Sequence, residues 1–321
     1  MRVRVCFHDN CFDGAASAAL FTRFYQERVD PRAEFAYRGM AHKTGDVFPP
    51  GTFDGDENAV VDFRYSADPD LTWWFDHHIS AFQLPGDEAH FRKDQSGRKF
   101  FDPKAKSCTR FLALTCADKF GFDLAPHAEL LHWAELIDSA AFESPESAVA
   151  LREPALRIMT WLENNKHPEL TERLIGEMAR ARSLDAIAAE PWVAEPLAVI
   201  LEHHRRALDV YRVRTRIADG VVTYDTSEDG IESANKFIPY FLFPEARFVV
   251  GVSLQSTRAK ISVGTNPWLP RPPVNIAAIC ERYGGGGHAV VGAVSLPVAE
   301  LARARTIADE ITAELKTVPA K

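Results

Sequence analysis

Three times within the first 78 residues, an apolar run with the look of a strand ends directly on acidic and imidazole side chains. VRVCFH leads into HDNCFDG, NAVVDF closes on Asp62, and LTWWFDHH closes on Asp76, His77 and His78. In the first run Val3, Val5 and Phe7 alternate with charged or polar neighbours, which predicts a strand; Gly14 then opens AASAALFTRFYQER, which predicts a helix. AEFAY at Ala33 is a further strand candidate, and turn residues (Gly, Pro or Asp) bound these segments. Strands separated by a helix or by connections of crossover length predict a parallel sheet with helical cover. In open α/β sheets sites form at the carboxyl ends of the strands, so the three ligand-rich ends are expected to converge.

The chain has 321 residues, 46% of them apolar, enough for about two domains with a sizeable core. From Thr109 to about Arg216 the apolar residues take helical spacing, in TRFLALTCADKF, AELLHWAELI and PWVAEPLAVILEHHRRALDVYRVR, the last reading as a connecting helix. After Ala218 strand-like runs return (GVVTYD, RFVVGVSLQ, AKISVGT), then a helix near Val274, a glycine cluster, and a final strand and helix. The expected fold class is therefore α/β. A parallel-sheet domain over residues 1–190 is followed by a linker helix over 191–217 and a smaller mixed α/β domain over 218–321.

A net charge of −8 argues against a protein that coats long duplex DNA, because neutralising phosphates takes clustered Lys and Arg. The five cysteines, Cys6, Cys11, Cys108, Cys116 and Cys280, contain no CxxC pair, which fits neither a disulfide framework nor a structural zinc module. With no signal-like start and no run of ~18 uncharged apolar residues, the expectation is a soluble cytoplasmic protein without a membrane partner. A homodimer is compatible with the sequence.

Carboxylates and imidazoles at strand ends are costly to bury unless paired or metal-bound. Without paired thiolates they favour a hard or borderline divalent ion, Mn2+ foremost, with Mg2+, Co2+ or Fe2+ as alternatives. Two ions ~3.5–4 Å apart could share one carboxylate in the arrangement used for in-line attack on phosphorus. Asp62, from a central strand, is the expected bridge, and Asp138 in WAELIDSAAF supplies a further carboxylate. No other cofactor is implied. His203 and His204 in LEHHRRAL read as a solvated helix face, Asp54 and Asp56 in FDGDEN as a turn, and Trp73 with Trp74 as core packing on both faces of a covered sheet.

These segments together resemble the DHH phosphoesterase family over most of the chain. HDNCFDGAASAA is similar to its first motif, VVDF to its second, FDHH to its third and LIDSA to its fourth. GGGGHAVVGAVSL resembles the glycine-rich signature of the DHH-associated C-terminal domain found in nanoRNases, cyclic-dinucleotide phosphodiesterases and exopolyphosphatase-like proteins. The resemblance implies metal ligation by His8, Asp13, Asp62, His77 and Asp138. It also implies that His78 faces the substrate phosphate while Asp76 orients its neighbours. The family's first motif normally carries two aspartates separated by one residue, and Cys11 stands in place of the first. That position is then served by Cys11, Asp9, water or nothing, with Cys11 disfavoured because a soft thiolate clashes with oxygen donors.

Four consecutive glycines followed by His288 predict a loop with bare backbone N–H groups that can cradle a phosphate. Gly285, Gly286, Gly287 and His288 are thus the expected substrate contacts, with Arg258 supplying charge from an adjoining strand and Arg271 as its alternative. The expected function is metal-dependent hydrolysis of phosphodiester bonds in short oligonucleotides or cyclic dinucleotides, of the exonuclease kind. Two other readings compete with it. One is a phosphomonoesterase or exopolyphosphatase acting on 3'-phosphoadenosine 5'-phosphate or polyphosphate. The other is a nucleotide-binding module that has lost catalysis through the replacement at Cys11.

Overall fold

The computed structural model describes residues 1–41, 47–231 and 234–319. The chain forms two compact units, Met1–Ala141 with Arg152–Ala198, and Phe142–Leu151 with Val199–Lys321. Among the described residues the first holds five strands, β1 (Arg2–His8), β2 (Glu34–Met40), β3 (Glu57–Val61), β4 (Trp73–Asp76) and β5 (Lys99–Phe101). All pair parallel, in the order β2-β1-β3-β4-β5. Of these, β5 was not among the strands expected from sequence: three residues, KFF, carry too short a pattern to stand out.

Four helices accompany these strands, α1 (Phe12–Arg28), α2 (Asp87–Lys93), α3 (Cys108–Phe120) and α4 (Ala128–Asp138). The helical stretch continues through α5 (Pro145–Val149), α6 (Pro154–Asn164), α7 (Pro168–Ala179), α8 (Leu184–Ala188) and α9 (Pro191–Arg214). The border between the units falls inside α9, after Ala198, and α5 belongs to the second unit. Helix α1 is buried along nearly its whole length, because its small residues Ala15, Ala16, Ala18 and Ala19 let it pack closely on all sides. At its start Gly14 is obligatory: a Cβ there would come within 2.1 Å of the His8 carbonyl oxygen.

Consecutive aromatic residues of β4 serve opposite faces of the sheet, as strand pleating requires. Trp73 meets Phe21, Phe24 and Tyr25 of α1 and donates its indole N–H to Glu57 at 2.8 Å. Trp74 packs with Tyr65, Phe82, Phe91 and Phe101 on the other face and donates to the Phe63 carbonyl at 2.9 Å. Asp54 accepts from the Arg4 guanidinium at 2.6 and 2.8 Å, and Asp56 accepts the Arg2 backbone N–H at 2.7 Å, so this acidic turn braces the start of β1.

The register decides where the polar ends emerge. Phe7 pairs with Val61 and Val61 with Phe75, so the next residues, His8, Asp62 and Asp76, leave three neighbouring strands side by side. Strand order reverses between β1 and β3, since the chain goes from β1 out to β2 and returns on the other side. That reversal is the switch point at which open α/β sheets bind their ligands.

The second unit carries β6 (Arg216–Ala218), β7 (Val221–Asp225), β8 (Phe248–Gln255), β9 (Arg258–Thr265), β10 (Gly286–His288) and β11 (Val291–Leu296). Their order is β10-β11-β9-β8-β7-β6, with β7 and β8 parallel and every other pair antiparallel. Helices α10 (Ile238–Leu242), α11 (Ile276–Glu281) and α12 (Leu301–Lys316) complete it. Its core joins Ile276 and Ile279 of α11 and Ile307, Ile311 and Leu315 of α12 to Phe248, Val250, Ile261 and Val294 of the sheet. The segment 142–151 is bound in by three hydrogen bonds: Trp268 donates to the Phe142 carbonyl at 2.7 Å, Asn235 to that of Ala148 at 2.9 Å, and the His204 ring pairs with that of Val149 at 2.8 Å.

Candidate metal centre

Asp62 follows β3 with φ of 55°, a left-handed turn that Asp tolerates better than most residues and that recurs at functional sites. Its backbone N–H donates to the Phe75 carbonyl at 2.9 Å, which locks the turn onto β4. The side chain is fully buried, and among the described residues neither carboxylate oxygen has a hydrogen-bond partner. Around it lie His8 Nδ1 at 3.5 Å, His77 Nε2 at 3.4 Å and His78 Nδ1 at 3.9 Å.

His77 is fixed from behind. Its Nδ1 lies 3.0 Å from the Ala105 carbonyl, to which it donates, and this turns Nε2 inward. Nε2 is buried, has no hydrogen bond among the described residues, and faces three carboxylates, Asp62 and Asp138 at 3.4 Å and Asp13 at 3.8 Å. Charge-assisted hydrogen bonds would be far shorter. Such separations are close to the edges of a coordination polyhedron built on bonds of ~2.1 Å, for which adjacent ligands stand about 3.0–3.4 Å apart.

Asp13, in the first turn of α1, is buried and accepts two backbone N–H groups at the start of α3, from Cys108 at 2.6 Å and Thr109 at 3.0 Å. A helix N-terminus is a natural seat for a carboxylate. Asp138 is the last residue of α4, at the negative end of that helix, where an acidic side chain is unfavourable unless a cation compensates. It does not cap the start of a helix. Asp76 closes β4, and its Oδ1 gathers the backbone N–H groups of His77 and His78 at 2.8 and 3.3 Å and the Nδ1 of His78 at 2.7 Å.

The electrostatics call for positive charge. Burial, with Asp62 and Asp138 close by, pushes Asp13 far above the ordinary carboxylate range, and the same forces raise Asp138 to about 6. Burial alone would raise Asp62 too, but the rings of His77 and His8 hold it low. Burial works against a charged His77, yet Asp62 and Asp13 outweigh it and push the imidazole up to about 10. His78 is raised in the same way, its bond to Asp76 prevailing over burial. Three carboxylates and two or three imidazoles, with orphaned atoms aimed at one another, fit a divalent cation centre.

Among the described residues the donor atoms form three groups, each within 4.8 Å: His8 with Cys11 and Asp62; Asp62 with His77 and His78; Asp13 with His77 and Asp138. Asp62 belongs to two of them, the position a bridging carboxylate would take. Asp9 belongs to none: its Oδ1 accepts the Asn10 N–H at 2.9 Å, and its own N–H is tied to Met40 of β2. Sequence reasoning missed the backbone partners, the Ala105 carbonyl and the Cys108 and Thr109 N–H groups. Only Ser107, a helix-capping residue just before an apolar helical run, hints at them.

In the second unit two sequence expectations need correction. The glycine cluster is not a free loop, because Gly286–His288 is an edge strand paired with β11. Gly285 and Gly287 are demanded by packing, since a Cβ on either would strike the backbone of β11 at 2.2 and 2.3 Å. Gly286 faces open space, and His288 is exposed. Arg258 does not join them. In register, His288 lies across β11 from Gly264 of β9, six residues and so about 20 Å along that strand from Arg258. The Arg258 guanidinium instead bonds Gln255 at 2.6 Å across the hairpin.

No protein-family model and no curated protein matches the sequence. Solved structures do. The chain is similar to the pGpG-specific phosphodiesterase PggH from Vibrio cholerae, with 20% identity and a TM-score of 0.67 over 97% of this chain and 99% of that one. It is also similar to the DHH domain of a member of the S1p family of ribosomal proteins, with 12% identity and a TM-score of 0.60 over 99% and 87% of the two chains.

Proposed function

We propose that this chain, which has the fold of DHH proteins, is a metal-dependent phosphodiesterase acting on short oligonucleotides or cyclic dinucleotides. The observation that carries the reading is Asp62, buried at the switch point of the sheet with both oxygens unpartnered and shared between two groups of candidate ligands. The full-length likeness to a protein described as pGpG-specific favours a dinucleotide-sized substrate over a long polymer. The net charge of −8 supports the same choice.

Asp13, His77 and Asp138, with Asp62, would hold one divalent ion, Mn2+ foremost by donor type, and His8 and Asp62 would contribute to a second. Such ions supply Lewis acidity to phosphoryl oxygens and make water nucleophilic near neutral pH. His78 is 29% exposed and is held by Asp76 through Nδ1, an orientation in which Nε2 would donate to a phosphate oxygen and offset charge as the ester is attacked. Asp76 keeps that ring oriented. In the second unit, His288 and the open edge at Gly286 are proposed as substrate contacts.

The test is a substrate panel with Mn2+-loaded protein. Release of mononucleotides from two- to five-nucleotide RNA, abolished by His77→Ala, is the expected result. Phosphate release from 3'-phosphoadenosine 5'-phosphate or polyphosphate, with no cleavage of the RNA, would overturn the phosphodiester assignment. Metal-bound protein inert toward the whole panel would overturn catalysis itself.

A further inference from the structure

Cys11 occupies the N-cap of α1, where Ser, Thr, Asp or Asn would satisfy a free backbone N–H and stabilise the helix. Its side chain makes no capping hydrogen bond. Local helix chemistry therefore does not account for a cysteine here. The other four cysteines are buried thiols, whereas Cys11 is only partly covered. Its backbone is fixed, its carbonyl accepting the Ala15 N–H at 3.0 Å, and its Sγ lies within 4.8 Å of both a His8 ring nitrogen and an Asp62 oxygen. That oxygen belongs to the buried, unpartnered carboxylate at the heart of the site. Asp9, the other nearby carboxylate, is engaged in its own turn and at β2.

We propose that the Cys11 thiolate is a metal ligand, completing with His8 and Asp62 a soft half-site beside the harder half-site of Asp13, His77 and Asp138. Binding releases the thiol proton to solvent and forms a metal–sulfur bond. Asp62 reaches the second half through His77, whose Nε2 lies 3.4 Å from it, and the halves differ in donors: nitrogen, sulfur and oxygen in the first, one imidazole among carboxylates in the second. Thiolate ligation shifts preference toward Zn2+, Fe2+ or Co2+, while the carboxylate-rich half suits Mn2+ or Mg2+. The centre would then take two unlike ions, and the softness that argued against Cys11 from sequence becomes the means of sorting them. The proposal rests on the metal-centre reading above and specifies one of its ligands.

Cobalt loading tests it, because thiolate ligation gives an intense near-ultraviolet charge-transfer band that nitrogen and oxygen donors do not. The wild-type protein should bind two Co2+ and show the band. Cys11→Ser, which also restores a good N-cap and so keeps the helix, should lose it entirely, and Cys108→Ala should keep it. Given equal Zn2+ and Mn2+, the wild type should retain one of each by mass spectrometry, and Cys11→Asp should shift toward two Mn2+. Two bound Co2+ with no band, or a band surviving Cys11→Ser, would overturn the thiolate ligand and leave the metal centre standing. A wild-type protein that binds no Co2+ would overturn both.

Discussion

His77 divides its work between its two ring nitrogens. Nδ1 is anchored to the Ala105 carbonyl, and Nε2 is presented to three carboxylates at distances that suit an ion and not a hydrogen bond. Asp62 completes the same logic from the other side. Asp62→Asn keeps the shape of the side chain but removes its charge, so bound metal should fall from near two ions per chain to near none, measured by mass spectrometry. Asp76→Asn should act differently. It loosens the grip on His78 without removing a ligand, so kcat should fall about 10–100-fold with metal content unchanged, and loss of metal would place Asp76 among the ligands instead.

Residues remote from the site titrate on their own terms. The hydrogen bond to Arg4 holds Asp54 down to about 2. A depressed carboxylate stabilises the fold above its unfolded value near 3.8, and that contribution vanishes as pH falls through about 2. Asp54 is 37% exposed, so its worth is within about 1 kcal/mol. Urea denaturation should show Asp54→Asn less stable than wild type by no more than that at pH 7, with the two curves converging as pH falls through about 2. At this scale the site was legible because imidazoles and carboxylates stand beside apolar strands; its backbone donors carry no side-chain signature.

Among the elements, α1 and α3 position most of what β1, β3 and β4 do not. The start of α3 clamps both oxygens of Asp13, and Ser107 caps that helix by accepting the Arg110 N–H at 3.2 Å. Ser107→Ala should lower stability by about 1 kcal/mol and weaken metal binding severalfold by loosening Asp13, as calorimetry with Mn2+ would reveal. Unchanged affinity would mean that Asp13 needs no such support. The long strands and helices were readable because alternation and helical spacing extend over whole turns. The short strands β5 and β10 were not. In the glycine cluster glycine was read as freedom, whereas Gly285, just before β10, and Gly287 within it are there to let two strands approach.

For the molecule as a whole, the sequence announced an α/β chain with a parallel sheet, a helical middle and a mixed sheet, and the structure has that architecture. It gave no sign that 142–151, ten residues within the helical stretch, would pack with the second unit, because the hydrogen bonds that hold them come from Trp268, Asn235 and His204, 55 or more positions away. Among the described residues no helix is long and apolar enough to cross a membrane. Ions that bind only the folded chain must stabilise it. At a hundred times the dissociation constant, Mn2+ should add about 2.7 kcal/mol, seen as a higher melting temperature that EDTA reverses. No shift would mean that no ion is held.

The alignment of His8, Asp62 and Asp76 across three strands has a kinetic corollary. These donors are separated by long stretches of chain and come together only when β1, β3 and β4 are paired in register, an event late in assembling a parallel sheet. An ion arriving earlier finds nothing to hold it. Metal should therefore leave the refolding rate as it is and act on the reverse reaction, slowing escape from the native state. Stopped-flow measurements with and without Mn2+ would separate the two, and accelerated refolding would show the cradle already formed when the barrier is crossed.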